Sequence, residues 1–395
     1  MTTVTETPET ANPKNPSSRG FALPPWWEQA LFPLFILAAI IFPFFVDEGG
    51  PVLQTAVQAL AYTVMALGLN IIVGFAGLLD LGYVAFYAIG AYAMGYFGSL
   101  FFSSINNEEG IHILVTGQAA NLPGIHMSFL LILVAAVILT TIAGMIIGLP
   151  TLRLRGDYIA IVTLAFGEII GRVAINGDVL KIAGQPLTAG RQGITPDRID
   201  LPLVDPFTLL NLVPWYYVAL TLVVLALTVS FTLRNSRLGR AWIALREDEV
   251  AAVAMGVPAV KTKLLAYGTG AALGGMSGAF LGSFNTTVNA DQFQFYFSIL
   301  VLGMVILGGL GSIWGVVLGA LVLSYINYYF IPNVINEIPN DLGLDFDVTQ
   351  ITFSIYGFLL VIMMIMRPEG LIPERRRKQE LHDDADDALL TTSAP

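Results

Sequence analysis

Three ionisable residues lie within or between the long apolar runs of this chain: Asp80, Glu168 and Arg172. Glu168 and Arg172 are four residues apart, so a helix places them on one face, where they could form an ion pair or line a polar path across a membrane. Asp80 lies in the glycine-flanked stretch 77–82, where its carboxylate could cap the helix that follows. A proton relay needs more ionisable groups in succession than this chain offers.

The sequence excludes several kinds of chemistry. It contains no cysteine, so a disulfide, a thiolate nucleophile and a cysteine metal site are all excluded. The three histidines, His112, His126 and His382, are scattered, which indicates solvated side chains rather than a metal site. The phosphate-binding pattern G-x-x-x-x-G-K-[ST] does not occur, so the chain does not hydrolyse ATP by that route. We expect no catalytic residue, metal or cofactor.

The composition is that of a membrane protein. Of 395 residues, 55% are hydrophobic and 12% are charged, whereas soluble proteins carry about 25% charged residues. The predicted fold is an all-α polytopic membrane protein with about ten transmembrane segments. These segments are 29–46, 53–73, 78–101, 126–150, 158–175, 213–233, 264–285, 296–311, 313–331 and 350–366. Only Ser312 separates 296–311 from 313–331, so this pair could instead form a broken or re-entrant helix.

The distribution of basic residues predicts the orientation. With ten crossings and a cytoplasmic N-terminus, the inner side holds fifteen of the nineteen Lys and Arg residues: Lys14, Arg19, Arg153, Arg155, Arg234, Arg237, Arg240, Arg246, Lys261, Lys263, Arg367, Arg375, Arg376, Arg377 and Lys378. This excess predicts that both termini are cytoplasmic in a multi-pass plasma (inner) membrane protein.

Five segments on each side of the long loop 176–211 are compatible with two inverted halves of five. Glycine-rich breaks at 73–82 and 307–315 agree with this arrangement, although glycines that allow close helix packing explain them equally well. Outside the transmembrane domain, 26–375, we predict a disordered cytoplasmic N-terminus, 1–25, and a disordered acidic tail, 376–395.

The longest loop with a dense set of basic residues is 234–263, between two strongly apolar segments. Its apolar residues recur at helical spacing and predict one amphipathic helix that ends at Gly256 and Pro258; they are Leu238, Trp242, Leu245, Val250 and Val253. Such a cytoplasmic helix could dock on a partner protein. It could equally be a basic loop that only orients its flanking spans.

Five stretches together resemble one family: Gly68–Ala93, Leu152–Ile170, Ser236–Val257, Ile299–Ala320 and Arg367–Pro373. In this combination and order, over roughly 62–373, the chain resembles the permease subunits of branched-chain amino-acid ABC importers of the LivM type. The resemblance implies inward transport of branched-chain amino acids by alternating access. ATP would be hydrolysed by separate subunits, so the chain itself would not be an enzyme.

The resemblance also implies partners. They are a second permease of the LivH type, two ABC ATPase subunits, an extracytoplasmic substrate-binding protein and membrane lipid, with no nucleic acid. In such permeases the central loop carries the coupling helix that fits a cleft of the ATPase. By position in the stretch EVAAVAMG, this role falls on Glu249, Ala251, Ala252 and Gly256, and Arg246 and Glu247 beside them would add ionic contacts.

Two departures from the family pattern leave the substrate open. Asp80 and Tyr83 stand where the family commonly has a small polar residue and then His, and the stretch 176–194 resembles the usual glycine-rich sequence less closely. A permease for urea or short amides is therefore an alternative. An ion-coupled secondary transporter is an alternative of another class, but the coupling motif and the scarcity of buried ionisable groups count against it.

Overall fold

A computed structural model describes residues 27–103, 110–115, 122–151, 158–182, 185–196, 207–208, 210–336, 351–367 and 369–372. The two predicted disordered ends, 1–25 and 376–395, lie outside the described residues, as does His382. The chain divides into two compact units, residues 1–42 and 43–395. In the first unit, α1 (Trp27–Ile41) contains Pro33 and exposes Leu34 and Leu37, as a helix in contact with lipid does.

The second unit consists mainly of helices: α2 (Pro51–Leu69), α3 (Val84–Phe97), α4 (Phe129–Thr151), α5 (Tyr158–Asn176), α6 (Val213–Asn235), α7 (Arg237–Glu247), α8 (Glu249–Ala254), α9 (Ala259–Phe284), α10 (Phe295–Gly308), α11 (Ile313–Tyr325) and α12 (Thr352–Met366). Two of them continue as π-helices, α2 through Asn70–Phe75 and α11 through Ile326–Ile335.

Short strands interrupt the all-α pattern in the connecting segments: β1 (Gly98–Ser99), β2 (Ile111–Ile113), β3 (Ile125–Met127), β4 (Lys181–Ile182) and β5 (Gln185–Pro186). Strand β3 pairs antiparallel with β1 and parallel with β2, and β4 pairs antiparallel with β5. The predicted segment 126–150 is therefore wrong at its start, because β3 precedes the helix.

Each of the ten predicted segments contains a helix. Among the described residues, six helices are long and apolar enough to cross a membrane: Pro51–Phe75, Phe129–Thr151, Tyr158–Asn176, Val213–Asn235, Ala259–Phe284 and Ile313–Ile335. This confirms a helical polytopic membrane protein. Ten crossings stay a prediction, because α3 and α10 have 14 residues each, about 21 Å of helix against an apolar layer of about 30 Å.

Helix α9 lies at the centre of the second unit and packs against α2, α3 and α4. Small residues allow this close approach, as is usual where membrane helices meet. A methyl group added at Gly90 of α3 would overlap the backbone of Gly275 in α9, and one added at Gly278 would overlap the Tyr87 carbonyl. Helices α2 and α9 are therefore mostly buried, whereas α4 and α5 lie at the periphery.

The two glycine-rich breaks meet inside the protein. The first follows the π-helix after α2 and includes the non-helical connection 76–83, so the predicted segment 78–101 begins too early. The second separates α10 from α11, where Gly309 and Gly311 have positive φ angles of 114° and 85°. The Asn70 Oδ1 atom accepts a hydrogen bond of 2.9 Å from the Gly311 N–H, which joins the two breaks.

Candidate functional site

The central loop forms two helices, α7 and α8, and the prediction of a single helix is wrong. Asp248 separates them with an extended backbone, φ −150° and ψ 106°. Its Oδ1 atom accepts hydrogen bonds from the N–H groups of Val250 (2.8 Å) and Ala251 (3.0 Å) and so starts α8. An Asp in this position stabilises a new helix start more than it stabilises continuation of the old helix.

The prediction that Gly256 ends the helix is confirmed. Gly256 has φ +91°, its N–H donates to the Val253 carbonyl, and the Val257 N–H donates to the Ala252 carbonyl at 3.0 Å. These two bonds form a Schellman motif, which favours glycine because its φ is positive. Pro258 does not itself end α8; it occupies the N-cap position of α9.

One side of the loop is anchored to α9. Trp242 and Leu245 of α7 are buried, and the Trp242 Nε1–H donates a 2.7 Å hydrogen bond to the Thr262 carbonyl. Ala252 of α8 is buried as well. The anchoring face therefore uses part of the predicted apolar stripe.

The other two valines of the predicted stripe, Val250 and Val253, are exposed instead of buried against α9. Val250 is 71% exposed and Met255 is 87% exposed, and every residue between them except Ala252 is also exposed. We name this surface the α8 patch; it consists of Val250, Ala251, Val253, Ala254, Met255 and Gly256. The prediction that Val250 and Val253 share a face with Trp242 is wrong, because the break at Asp248 rotates α8 relative to α7. An apolar patch on a polar loop indicates a protein contact.

Glu249 faces inward toward α9. Its Oε1 atom lies 2.7 Å from Nζ of Lys263, whose side chain is only 7% exposed. A buried ammonium needs a partner, so this ion pair holds the start of α8 against α9. Glu247 is exposed at the end of α7.

Arg246 connects α7 to the first glycine-rich break. Its Nη1–H donates a 2.5 Å hydrogen bond to the Gly74 carbonyl, at the end of the π-helix. The side chain also packs on Gly77, where φ is +69° and an added Cβ would lie 2.7 Å from the Arg246 Cγ atom. Arg246 therefore joins the central loop to the glycine-rich break that follows α2.

The stretches that carry the family resemblance converge on this region. The N–H groups of Leu371 and Ile372 donate to the carbonyls of Leu307 (2.8 Å) and Gly308 (3.1 Å) beside the second break. The Leu81 N–H donates to the Thr163 Oγ1 atom of α5 at 3.0 Å. Hydrogen bonds thus connect one cluster, which consists of the two breaks, the central loop, residues 371–372 and α5 at Thr163.

Asp80 lies in the connection between the spans, 2% exposed. Its Oδ1 atom accepts a 2.8 Å hydrogen bond from the Gly82 N–H, while the Val84 N–H at the start of α3 is bound by the Ser298 hydroxyl instead. Among the described residues, Asp80 Oδ2 has no hydrogen-bond partner. Burial raises the pKa of this carboxyl to about 6, although the Gly82 hydrogen bond and the nearby Thr163 hydroxyl lower it.

Glu168 and Arg172 lie elsewhere, on the exposed face of α5. They line one open hollow of about 390 Å³, together with Ile169, Val173, Asn176 and Leu180. The ion pairs that the structure shows in its described part are Arg191–Asp291 and Lys263–Glu249, so Glu168 and Arg172 share a face without pairing.

Sequence reasoning missed some members of the cluster. Asn70 was detectable as the single amide side chain in the apolar run 59–79. Thr163 and Ser298 carried no signal, because their partners are 82 and 214 residues away. The histidines are less scattered than predicted: strand pairing stacks His112 on His126 at 5.6 Å between ring centroids. No group of three potential metal ligands occurs among the described residues.

The fold and its central loop define a polytopic helical membrane protein whose longest basic loop presents an apolar surface. A family model described as branched-chain amino acid transport system / permease component matches residues 52–366, so the chain belongs to this permease family.

Named relatives agree with the family. The chain is 34% identical to the high-affinity branched-chain amino acid transport system permease protein LivM of Escherichia coli, over 91% of this chain and 78% of the relative. It is 34% identical to LivM of Salmonella typhimurium, over 90% and 77%. The chain is also 28% identical to the high-affinity branched-chain amino acid transport system permease protein LivH of Escherichia coli, over 38% of this chain and 44% of that protein. No solved structure matches the chain.

Proposed function

We propose that this chain is the LivM-type permease subunit of an ATP-driven importer that carries branched-chain amino acids into the cell. The family match and the names of the relatives support the substrate class. The observation that carries the proposal is the exposed α8 patch, held rigidly by the Glu249–Lys263 ion pair and the Trp242 hydrogen bond. It is a docking surface for a cytoplasmic ATPase subunit.

The topology proposed with it has ten crossings and both termini in the cytoplasm. The excess of basic residues in the inner loops supports this orientation. It places α7, α8 and the two breaks on the cytoplasmic side. The partners are a LivH-type second permease, two ATPase subunits and an extracytoplasmic substrate-binding protein.

The mechanism follows from the contacts. ATPase closure moves α8, and Arg246 transfers the motion to the π-helix at Gly74. The Asn70–Gly311 hydrogen bond passes it to the second break. Helices that contain such breaks can bend there, because the glycines and the π-helical turns interrupt the regular backbone hydrogen bonding. Alternating access results from this bending. Ala251, Gly256 and the exposed residues around them meet the ATPase. Glu249, Ala252 and Arg246 instead hold the surface in place.

Met255→Glu tests the docking surface. A charge at a desolvated interface centre costs about 2 kcal/mol or more, so we expect at least a tenfold loss of ATPase subunit in pull-downs and of leucine uptake. The second permease should remain bound. Leu210→Glu is the matched control, because Leu210 is also 87% exposed but lies in the long loop between α5 and α6. Normal ATPase binding by the Met255 variant would contradict the docking role.

The substrate is tested in cells that lack their own uptake system and express the full set of subunits. We expect ATP-dependent uptake of radiolabelled leucine, lost when the ATPase subunits are inactivated. Uptake of urea or acetamide without leucine would keep the family and overturn the substrate class. Leucine uptake that persists without active ATPase subunits and collapses with the ion gradient would favour a secondary transporter.

A further inference from the structure

The exposed face of α5 differs from that of its neighbour α4. In α4, every exposed residue is apolar, as contact with lipid requires. In α5, six exposed residues recur every three or four positions and form one stripe along the helix, with the exposed Ile169 beside it: Tyr158, Ile161, Ala165, Glu168, Arg172 and Asn176. Only the α5 stripe carries charges. The two helices therefore face different surroundings.

Both charges lie within the span. Glu168 is just past the midpoint of α5, and Arg172 is one turn nearer to its end at Asn176. Ionisable residues at this depth face water-filled cavities or protein rather than lipid. No ion pair joins these two residues in the part of the chain that the structure describes, so each is available to a ligand. The charged part of the stripe therefore borders a polar space in the assembled transporter.

The open hollow at these residues lies toward the end of α5 that is farther from the α8 patch. Helix α4 packs through Gly148 against Leu264, near the start of α9, and six residues separate the end of α4 from the start of α5. At the other end of α5, Gly171 lies against the Phe293 carbonyl. The hollow thus lies toward the side of the membrane opposite the ATPase docking surface.

The lining of the hollow matches one ligand chemistry. Side chains four residues apart on a helix have Cβ atoms about 5–6 Å apart, so Glu168 and Arg172 present opposite charges side by side. A free amino acid carries an ammonium and a carboxylate on one carbon, which is the complementary pattern. Ile169, Val173 and Leu180 supply an apolar wall. The volume of the hollow, about 390 Å³, falls within the range of roughly 300–1,000 Å³ that is usual for small-molecule sites.

We propose that this hollow is a substrate site on the translocation path, formed where α5 faces the second permease. Glu168 accepts hydrogen bonds from the ammonium of an aliphatic amino acid, and Arg172 donates hydrogen bonds to its carboxylate. The apolar wall contacts the side chain. This inference rests on the proposed function and names the substrate site within it.

The test measures radiolabelled L-leucine binding to the complete permease–ATPase complex in nanodiscs, without the binding protein. The competitors are leucinamide, which lacks the carboxylate, and 4-methylpentanoate, which lacks the ammonium. Wild type should prefer leucine to each by about tenfold, the effect of one charge-assisted contact. Arg172→Gln should lose only the preference over leucinamide. Glu168→Gln should lose only the preference over 4-methylpentanoate.

The control is Arg191→Gln, which removes an exposed cation outside the hollow and should keep both preferences. Absence of leucine binding at millimolar concentration, or both preferences kept in both variants, would overturn the site. If the Gln variants do not assemble, Glu168→Asp and Arg172→Lys replace them. If these variants also fail to bind the second permease, the two charges belong to the contact between the permeases and not to a substrate site. ATP-dependent leucine uptake by the wild type, measured in parallel with the binding protein, tests the proposed function separately.

Discussion

At the scale of single residues, two charged side chains of the central loop contact other parts of this chain. Glu249 pairs with the buried Lys263, and Arg246 reaches the Gly74 carbonyl. Replacing Glu249 would therefore leave a buried ammonium unpaired and would disturb α8 itself. Loss of transport in such a variant would not identify a partner contact, whereas the exposed Met255 tests one directly.

Arg246→Lys should uncouple ATP hydrolysis from transport. Lysine keeps the positive charge but cannot reproduce the planar guanidinium that donates to Gly74 and packs on Gly77. We expect leucine uptake to fall by about tenfold, as loss of one charge-assisted hydrogen bond implies, while ATP hydrolysis by the assembled complex persists. Uptake and hydrolysis are measured in the same proteoliposomes.

Arg240→Lys is the control for this change. Arg240 lies on the same helix and is exposed, and its side chain donates, among the described residues, only to the nearby Asn235 carbonyl. It should leave both rates unchanged. A parallel fall of uptake and hydrolysis in the Arg246 variant would assign Arg246 to ATPase binding or to folding rather than to transmission.

At the scale of elements, the breaks in the helices carry as much information as the helices. Asp248 divides the central loop into two helices and turns α8 outward, and glycines with positive φ angles interrupt the helical backbone after α2 and after α10. At Gly77, a positive φ and the adjacent Arg246 side chain both require the absence of a Cβ atom. The short helices α3 and α10 each border one of these breaks.

Gly77→Ala should destabilise the assembled permease by at least about 1–2 kcal/mol, because alanine is strained at φ +69° and its methyl group displaces Arg246. The measurement is the thermal unfolding midpoint of the detergent-solubilised complex. Gly357→Ala in α12 is the matched control, since an added Cβ there meets none of the described residues within 4 Å. Alanine raises helix propensity at that position, so the control should be neutral or slightly stabilising. An unchanged midpoint for Gly77→Ala would show that the break adapts freely.

At the scale of the whole molecule, we propose a docking surface on one side of the membrane and a charged hollow toward the other. The absence of cysteine permits a direct test of this arrangement. In cells that express the permease without the ATPase subunits, Met255→Cys should react with a membrane-impermeant maleimide only after the cells are opened. Leu114→Cys, in the connection between α3 and α4, should react in intact cells, because both side chains are strongly exposed. The reverse pattern would overturn the proposed orientation.

The sequence by itself determined the membrane class, the approximate positions of the long apolar helices and the family. Apolar runs of about twenty residues predict spans by length alone, and local glycine and capping signals predict ends such as Gly256. It did not determine which residues meet. The bonds Asn70–Gly311 and Arg246–Gly74 join positions 241 and 172 residues apart, and no local pattern encodes such distances. Tertiary structure likewise decided that Glu249 pairs inward, that Val250 is exposed, and that Glu168 and Arg172 share an open hollow. These outcomes depend on how the helices pack against one another, which follows from close contacts between small residues on different helices.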